Sequence, residues 1–138
     1  MRELTANLDT IDEIASTIIA MFGEHTILYL NGDLASGKTT LTQALVKNIS
    51  GDVQEVTSPT FSISQNYPNG IYHYDLYNKD IQEFIILGLF EQLELPKLHI
   101  IEWAPDKLKE LVKEYGFKAI NIDIQNSGSS RIYRITNA

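Results

Sequence analysis

Cysteine is absent from this 138-residue chain. That excludes a disulfide framework, a thiolate zinc site and a cysteine nucleophile. Arginine is scarce. Arg2, Arg131 and Arg134 are the only three, so positions 3 to 130 hold none. Basic charge is short overall: 11 Lys and Arg stand against 18 Asp and Glu, a formal net charge of -7. Nucleic-acid backbones are gripped by Lys and Arg, so a chain this acidic leaves that grip to a partner. No apolar run approaches membrane-spanning length and the N-terminus lacks a signal-peptide core, so a cytoplasmic protein without a membrane segment is expected. The three histidines, His25, His73 and His99, show no metal-ligand spacing and read as surface or core residues. At this length the chain is expected to form one domain over 1–138, with little room for a substrate domain or a lid.

Against these absences stands one dense motif. Gly32-Asp33-Leu34-Ala35-Ser36-Gly37-Lys38-Thr39 matches G-x-x-x-x-G-K-[ST], the phosphate-binding P-loop, without a substitution. Thr26 to Leu30 before it has strand character. Thr39 to Lys47 after it places Leu41, Leu45 and Val46 on one helical face. Strand, glycine loop and helix start is the order the chemistry requires. Gly32 and Gly37 permit backbone angles and close approaches that side chains block. Successive N–H groups then cradle an anion, and the new helix adds free N–H groups and the positive end of its dipole. Lys38 can bridge terminal phosphates, and the Thr39 hydroxyl suits a Mg²⁺ that also touches phosphate oxygens. A nucleoside triphosphate is the expected ligand.

The remaining chain alternates βα units with hairpins. Arg2 to Leu8 reads as a strand, and Asp9 or Thr10 as the cap of a helix whose apolar face is Ile11, Ile14, Ala15, Ile18, Ile19 and Phe22. Gly23 stops that helix, and the P-loop helix ends near Gly51. Pro68-Asn69-Gly70 turns between two strand-like runs, Phe61–Tyr67 and Ile71–Leu76. A helix starts at Asp80, and Gly88 interrupts its pattern. Leu98 to Trp103 reads as a buried parallel strand and Pro105 to Tyr115 as an amphipathic helix. Two alternating runs, Ala119–Gln125 and Arg131–Ile135, flank a turn at 126–130 and predict a second hairpin. The fold class expected is α/β, a P-loop NTPase-like three-layer sandwich with a mixed parallel and antiparallel sheet.

A P-loop needs a carboxylate for Mg²⁺ at the end of a neighbouring strand. Glu102 ends the more buried-looking run and lies where open α/β sheets bind ligands, which makes it the first choice. Asp75 ends the other run. It can be a metal neighbour, a base that orients water, or a residue of the hairpin end. Thr57, Ser58 and Thr60 form a hydroxyl-rich loop in the place where γ-phosphate sensors stand, and plain turn chemistry explains them equally well. Trp103, the single tryptophan, reads as core packing or as an interaction surface beside the nucleotide.

Four blocks, Gly32-Asp33-Leu34-x-x-Gly37-Lys38-Thr39-Thr40, Ser58-Pro59-Thr60-Phe61, His73-Tyr74-Asp75-Leu76-Tyr77 and Ile101-Glu102-Trp103, occur in the order and spacing of the TsaE family. The chain resembles that family, the small bacterial ATPases of tRNA threonylcarbamoyladenosine synthesis, along nearly its whole length. The resemblance implies ATP and Mg²⁺ as cofactors and slow hydrolysis by the isolated chain. It implies two actin-like-fold partners of the threonylcarbamoyl transferase complex, and tRNA bound indirectly through them. One partner would modify the adenosine next to the anticodon, with ATP hydrolysis resetting the complex. Carried onto this chain, Gly32 to Thr40 would be the phosphate loop, including Asp33, Leu34, Ala35 and Ser36. Thr39 and Glu102 would hold Mg²⁺. Lys38, Asp75, Glu102 and Thr60 would form the catalytic set, with Trp103 beside them. Thr10 and Arg131 would add nucleotide contacts. Two departures stand out: Ala35-Ser36 where the family usually has Gly then Ala, and Asn78 where it usually has Arg after Asp-Leu-Tyr.

Two other functions fit a P-loop. A small metabolite kinase needs arginines around the transferred phosphoryl group and a lid, and this chain has little of either. A nucleotide-gated binding module with incidental hydrolysis overlaps with the ATPase reading. The N-K-x-D guanine motif is missing (Asn78-Lys79-Asp80 lacks the intervening residue), which favours ATP.

Overall fold

The computed structural model describes residues 2–33, 37–51, 64–67 and 69–138. Seven strands form one sheet: β1 (Arg2–Ala6), β2 (His25–Asn31), β3 (Ser64–Tyr67), β4 (Ile71–Asp75), β5 (Lys97–Glu102), β6 (Ala119–Ser127) and β7 (Ser130–Asn137). The helices are α1 (Ile11–Ile19), α2 (Lys38–Ser50), α3 (Ile81–Ile86), α4 (Leu89–Gln92) and α5 (Asp106–Glu114). The strand order is β1-β7-β6-β2-β5-β4-β3. The four central strands, β6, β2, β5 and β4, are parallel, and antiparallel pairs close both edges.

The mixed sheet follows from the patterns of burial. β2 and β5 carry continuous apolar runs, and every residue from Thr26 to Leu30 and from Leu98 to Glu102 is buried. Such strands need helices on both faces. On one face α1 and α2 pack Ile14, Ile18, Leu41 and Leu45 against Leu28, Leu30 and Ile100. On the other, α3, α4 and α5 pack Phe84, Phe90, Leu108 and Val112 against Ile27, Tyr29 and Ile101. The result is the three-layer sandwich. β6 alternates instead, with Ile120, Ile122 and Ile124 buried between more exposed neighbours.

Several boundaries differ from the sequence reading. β1 stops at Ala6, two residues early, because Asn7 turns the chain. Its Oδ1 accepts from the N–H of Asp9 (2.9 Å) and Thr10 (3.2 Å). Thr10 occupies the N-cap of α1 but makes no capping bond, since its hydroxyl accepts from the N–H of Asn7 at 3.0 Å. The local Asn7 turn outcompetes the helix for that oxygen. The second hairpin is tighter than expected. Ser127 pairs with Ser130, so the turn is Gly128-Ser129, and Gly128 takes the positive φ (+63°) such turns require. At α3, Asp80 does cap: its carboxylate accepts from the N–H of Glu83 at 2.9 Å. The expected strand over Phe61–Tyr67 is seen as β3 from Ser64, its earlier residues lying outside the described ones.

Candidate functional site

The site begins where β2 ends. Gly32 leaves the sheet at φ +153°, and Gly37 enters α2 at φ +102° and ψ +22°. A side chain disfavours the latter backbone, so glycine there is a requirement of the loop geometry. Leu34, Ala35 and Ser36 lie outside the described residues, as does Thr60. Lys38 is the first residue of α2 and is only 5% exposed. Its Nζ donates to the carbonyls of Gly32 (2.7 Å) and Asp33 (3.0 Å), and it lies 4.4 Å from the centroid of the Trp103 ring. Burial lowers the Lys38 pKa from the ordinary lysine value. Glu102, Asp75 and Asp33 oppose that shift, so all three carboxylates act on its charge.

Asp75 and Glu102 come together although 27 positions apart in sequence. β4 and β5 are parallel neighbours, and Asp75 stands directly opposite Glu102 in the register. Both end their strands beside α2. Glu102 is 2% exposed, and its Oε2 lies 2.5 Å from His73 Nε2. Asp75 accepts from the N–H of Tyr77 at 3.0 Å and so also fixes the turn after β4. Trp103, at φ +58°, leaves β5 sharply, and its ring meets that of Tyr77 at 5.0 Å. Trp103 therefore bridges Lys38 and the β4 turn.

A cleft of about 420 Å³ adjoins the loop. Asn7, Ile11, Gly37, Thr40, Ser129 and Arg131 are among its lining residues. A Cβ on Gly37 would meet Arg131 Nε at 3.5 Å, which puts the arginine against the start of α2. Arg131 thus joins the site from the far end of the chain. Thr10 does not line the cleft, and Asn7 and Ile11 on either side of it do.

The residues present suit a Mg²⁺ ion. Among the described residues no cluster of three or more His, Cys, Asp or Glu side chains could hold a metal by itself. Mg²⁺ does not ask for one. It prefers oxygen, takes one or two carboxylates, and completes its shell with water and phosphate oxygens. The Thr39 hydroxyl, Glu102 and Asp75 are oxygen donors of that kind. What sequence reasoning missed is His73, which it took for an ordinary core or surface residue. The available signal was its place two residues before Asp75, hence on the same face of β4.

A family model described as "Threonylcarbamoyl adenosine biosynthesis protein TsaE" matches residues 5–134. The "tRNA threonylcarbamoyladenosine biosynthesis protein TsaE" of Rickettsia felis is 35% identical over 102 residues, 71% of this chain and 59% of the relative. The protein of the same name from Haemophilus influenzae is 35% identical over 97 residues, 67% of this chain and 61% of the relative. The matched stretches thus span about three-fifths of those relatives' lengths. A crystal structure of Bacillus subtilis YdiB superposes with a TM-score of 0.69 at 26% identity, covering 99% of this chain and 86% of that one.

Proposed function

The chain belongs to the TsaE family, and from that premise we propose that it binds ATP with Mg²⁺ and hydrolyses it slowly. Hydrolysis would serve the complex that adds threonylcarbamoyl to the tRNA adenosine next to the anticodon. The observation that carries this reading is Lys38: a buried ammonium at the first residue of α2, bonded to the carbonyls of the loop that precedes it and close enough to Glu102 and Asp75, at adjacent strand ends, for both to favour its charge.

The chemistry divides among the chain's own residues. The first N–H groups of α2 and the Lys38 ammonium would bind the β- and γ-phosphates. Thr39 and Glu102 would hold Mg²⁺, which when bound neutralises charge developing on the transferred phosphoryl group. Asp75, opposite Glu102, would orient the attacking water. The cleft lined by Asn7, Ile11 and Arg131 would take the nucleoside, a role its volume allows. The two partners proposed are actin-like-fold proteins of the transferase complex, with tRNA held through them. The acidic charge supports a partner's grip on tRNA. Ile85, Ile86 and Leu87, all exposed at the C-terminal end of α3, support a protein partner. Among the described residues no helix is long and apolar enough to cross a membrane.

Phosphate release from ATP tests the reading. It is expected to be slow for the chain alone and faster once both partners and tRNA are added. A phosphorylated small molecule appearing in place of free phosphate would establish a kinase instead.

A further inference from the structure

The sheet buries two histidines with opposite bonding. His99 is held at both nitrogens. The Tyr74 hydroxyl lies 2.8 Å from its Nδ1 and the Leu95 carbonyl 2.8 Å from its Nε2. That is a structural core histidine, completely satisfied. His73 is equally buried, at 0% exposure, yet among the described residues only one of its nitrogens is bonded. Nε2 contacts Glu102, and Nδ1 has no partner among the described residues. The Tyr67 ring stacks beside it, with centroids 6.4 Å apart. A position selected for packing alone would favour an apolar side chain, because an unpartnered buried nitrogen is unfavourable. His73 instead directs Nε2 to the carboxylate at the mouth of the site.

We propose that His73 is a positioning residue. It donates Nε2–H to Oε2 of Glu102 and fixes that carboxylate's rotation, leaving Oε1 to the metal or to a water bound on it. The inference rests on the reading of Glu102 as the metal-side carboxylate. Carboxylates that ligate metals are commonly oriented by such hydrogen bonds, and losing one typically lowers metal affinity about 10- to 100-fold. Register supplies the geometry. His73 and Asp75 share one face of β4, and Asp75 is the register partner of Glu102. One strand thus brings both the positioning donor and the second carboxylate to the same place.

The test compares two amides. In His73→Gln the side-chain nitrogen reaches the place of Nε2. In His73→Asn it reaches only the place of Nδ1. Both variants keep the same amide, and the void left by the shorter Asn is read separately as a lower melting temperature. Fluorescence of Trp103, the sole tryptophan, is followed while Mg²⁺ is titrated into the chain with an ATP analogue whose β–γ bridge is not cleaved. The Asn variant is expected to need about 10- to 100-fold more Mg²⁺ for half of the signal change, and the Gln variant to follow the parent within about threefold. Coincident Asn and Gln curves would overturn the proposal, as would an Asn variant that follows the parent. Glu102→Ala in the same titration separates the two readings. If it leaves the curve unmoved, Glu102 is not the metal-side carboxylate and both readings fall. If it shifts the curve while His73→Asn does not, only the positioning role falls.

Discussion

Lys38 and Glu102 are both ionisable side chains and both nearly buried, which is sustainable because each has partners. Lys38 finds two carbonyls and an aromatic face, and Glu102 finds His73. Removing the Glu102 carboxylate is expected to weaken Mg²⁺-dependent turnover more than folding. In Glu102→Ala the Mg²⁺ concentration for half-maximal ATP hydrolysis should rise at least about tenfold, the lower end of what an outer partner alone contributes. Equal titration curves for mutant and parent would refute the assignment. His99 makes a separate prediction, about acid. Burial holds its pKa down to about 4 against an ordinary 6.5. The unfolded chain therefore takes up this proton near 6.5, whereas the folded chain resists it until about 4. Between those values the unfolded state binds more protons, so this residue's contribution to stability falls as pH falls. The loss is on the order of 3 kcal/mol across the window. Chemical denaturation at pH 7 and pH 4.5 should show a smaller drop for His99→Gln than for the parent. Equal drops would contradict the account.

At the scale of elements, the β2–loop–α2 unit depends on one backbone conformation. Gly37 sits at φ +102°, and an added Cβ would find only ordinary contact at 3.5 Å from Arg131 Nε. Alanine there is strained by its backbone and not by a clash. Gly37→Ala is expected to destabilise by on the order of 1–3 kcal/mol and to lower the melting temperature by several degrees. An unchanged melting curve would show that the loop tolerates a side chain. The Asp80 cap predicts less. Asp80→Ala should lose about 1 kcal/mol in the same assay, through frayed α3, and no loss would place the cap's contribution elsewhere. Elements such as these were legible in the sequence because their signals are local. The apolar runs of β2 and β5, Gly51 after α2, Gly88 beyond α3 and the Asn69-Gly70 turn all act within a few residues. Thr10 was misread for the same reason. Its capping signature was present, but Asn7, three residues upstream, competes for its hydroxyl.

At the scale of the whole molecule, function depends on contacts that no local pattern encodes. The bond between His73 and Glu102 spans 29 positions and exists only because β4 and β5 are parallel neighbours. Arg131 reaches the start of α2 only because the β6–β7 hairpin folds back beside it. The sequence pointed to Glu102 and the P-loop by motif, but His73 waited on the sheet order. The molecule gathers a buried ammonium, three carboxylates and a cleft at one end of its parallel strands, and it carries a net charge of -7. The claim at the centre is that nucleotide turnover at Lys38 supports tRNA modification. The most direct test is threonylcarbamoyladenosine formation over many turnovers in a reconstituted system of this chain, the two partner proteins, tRNA and ATP. With Lys38→Ala the multiple-turnover rate should fall on the order of 10²-fold or more, to the level seen without this chain. A Lys38→Ala protein that supports modification at the parent rate would contradict the account.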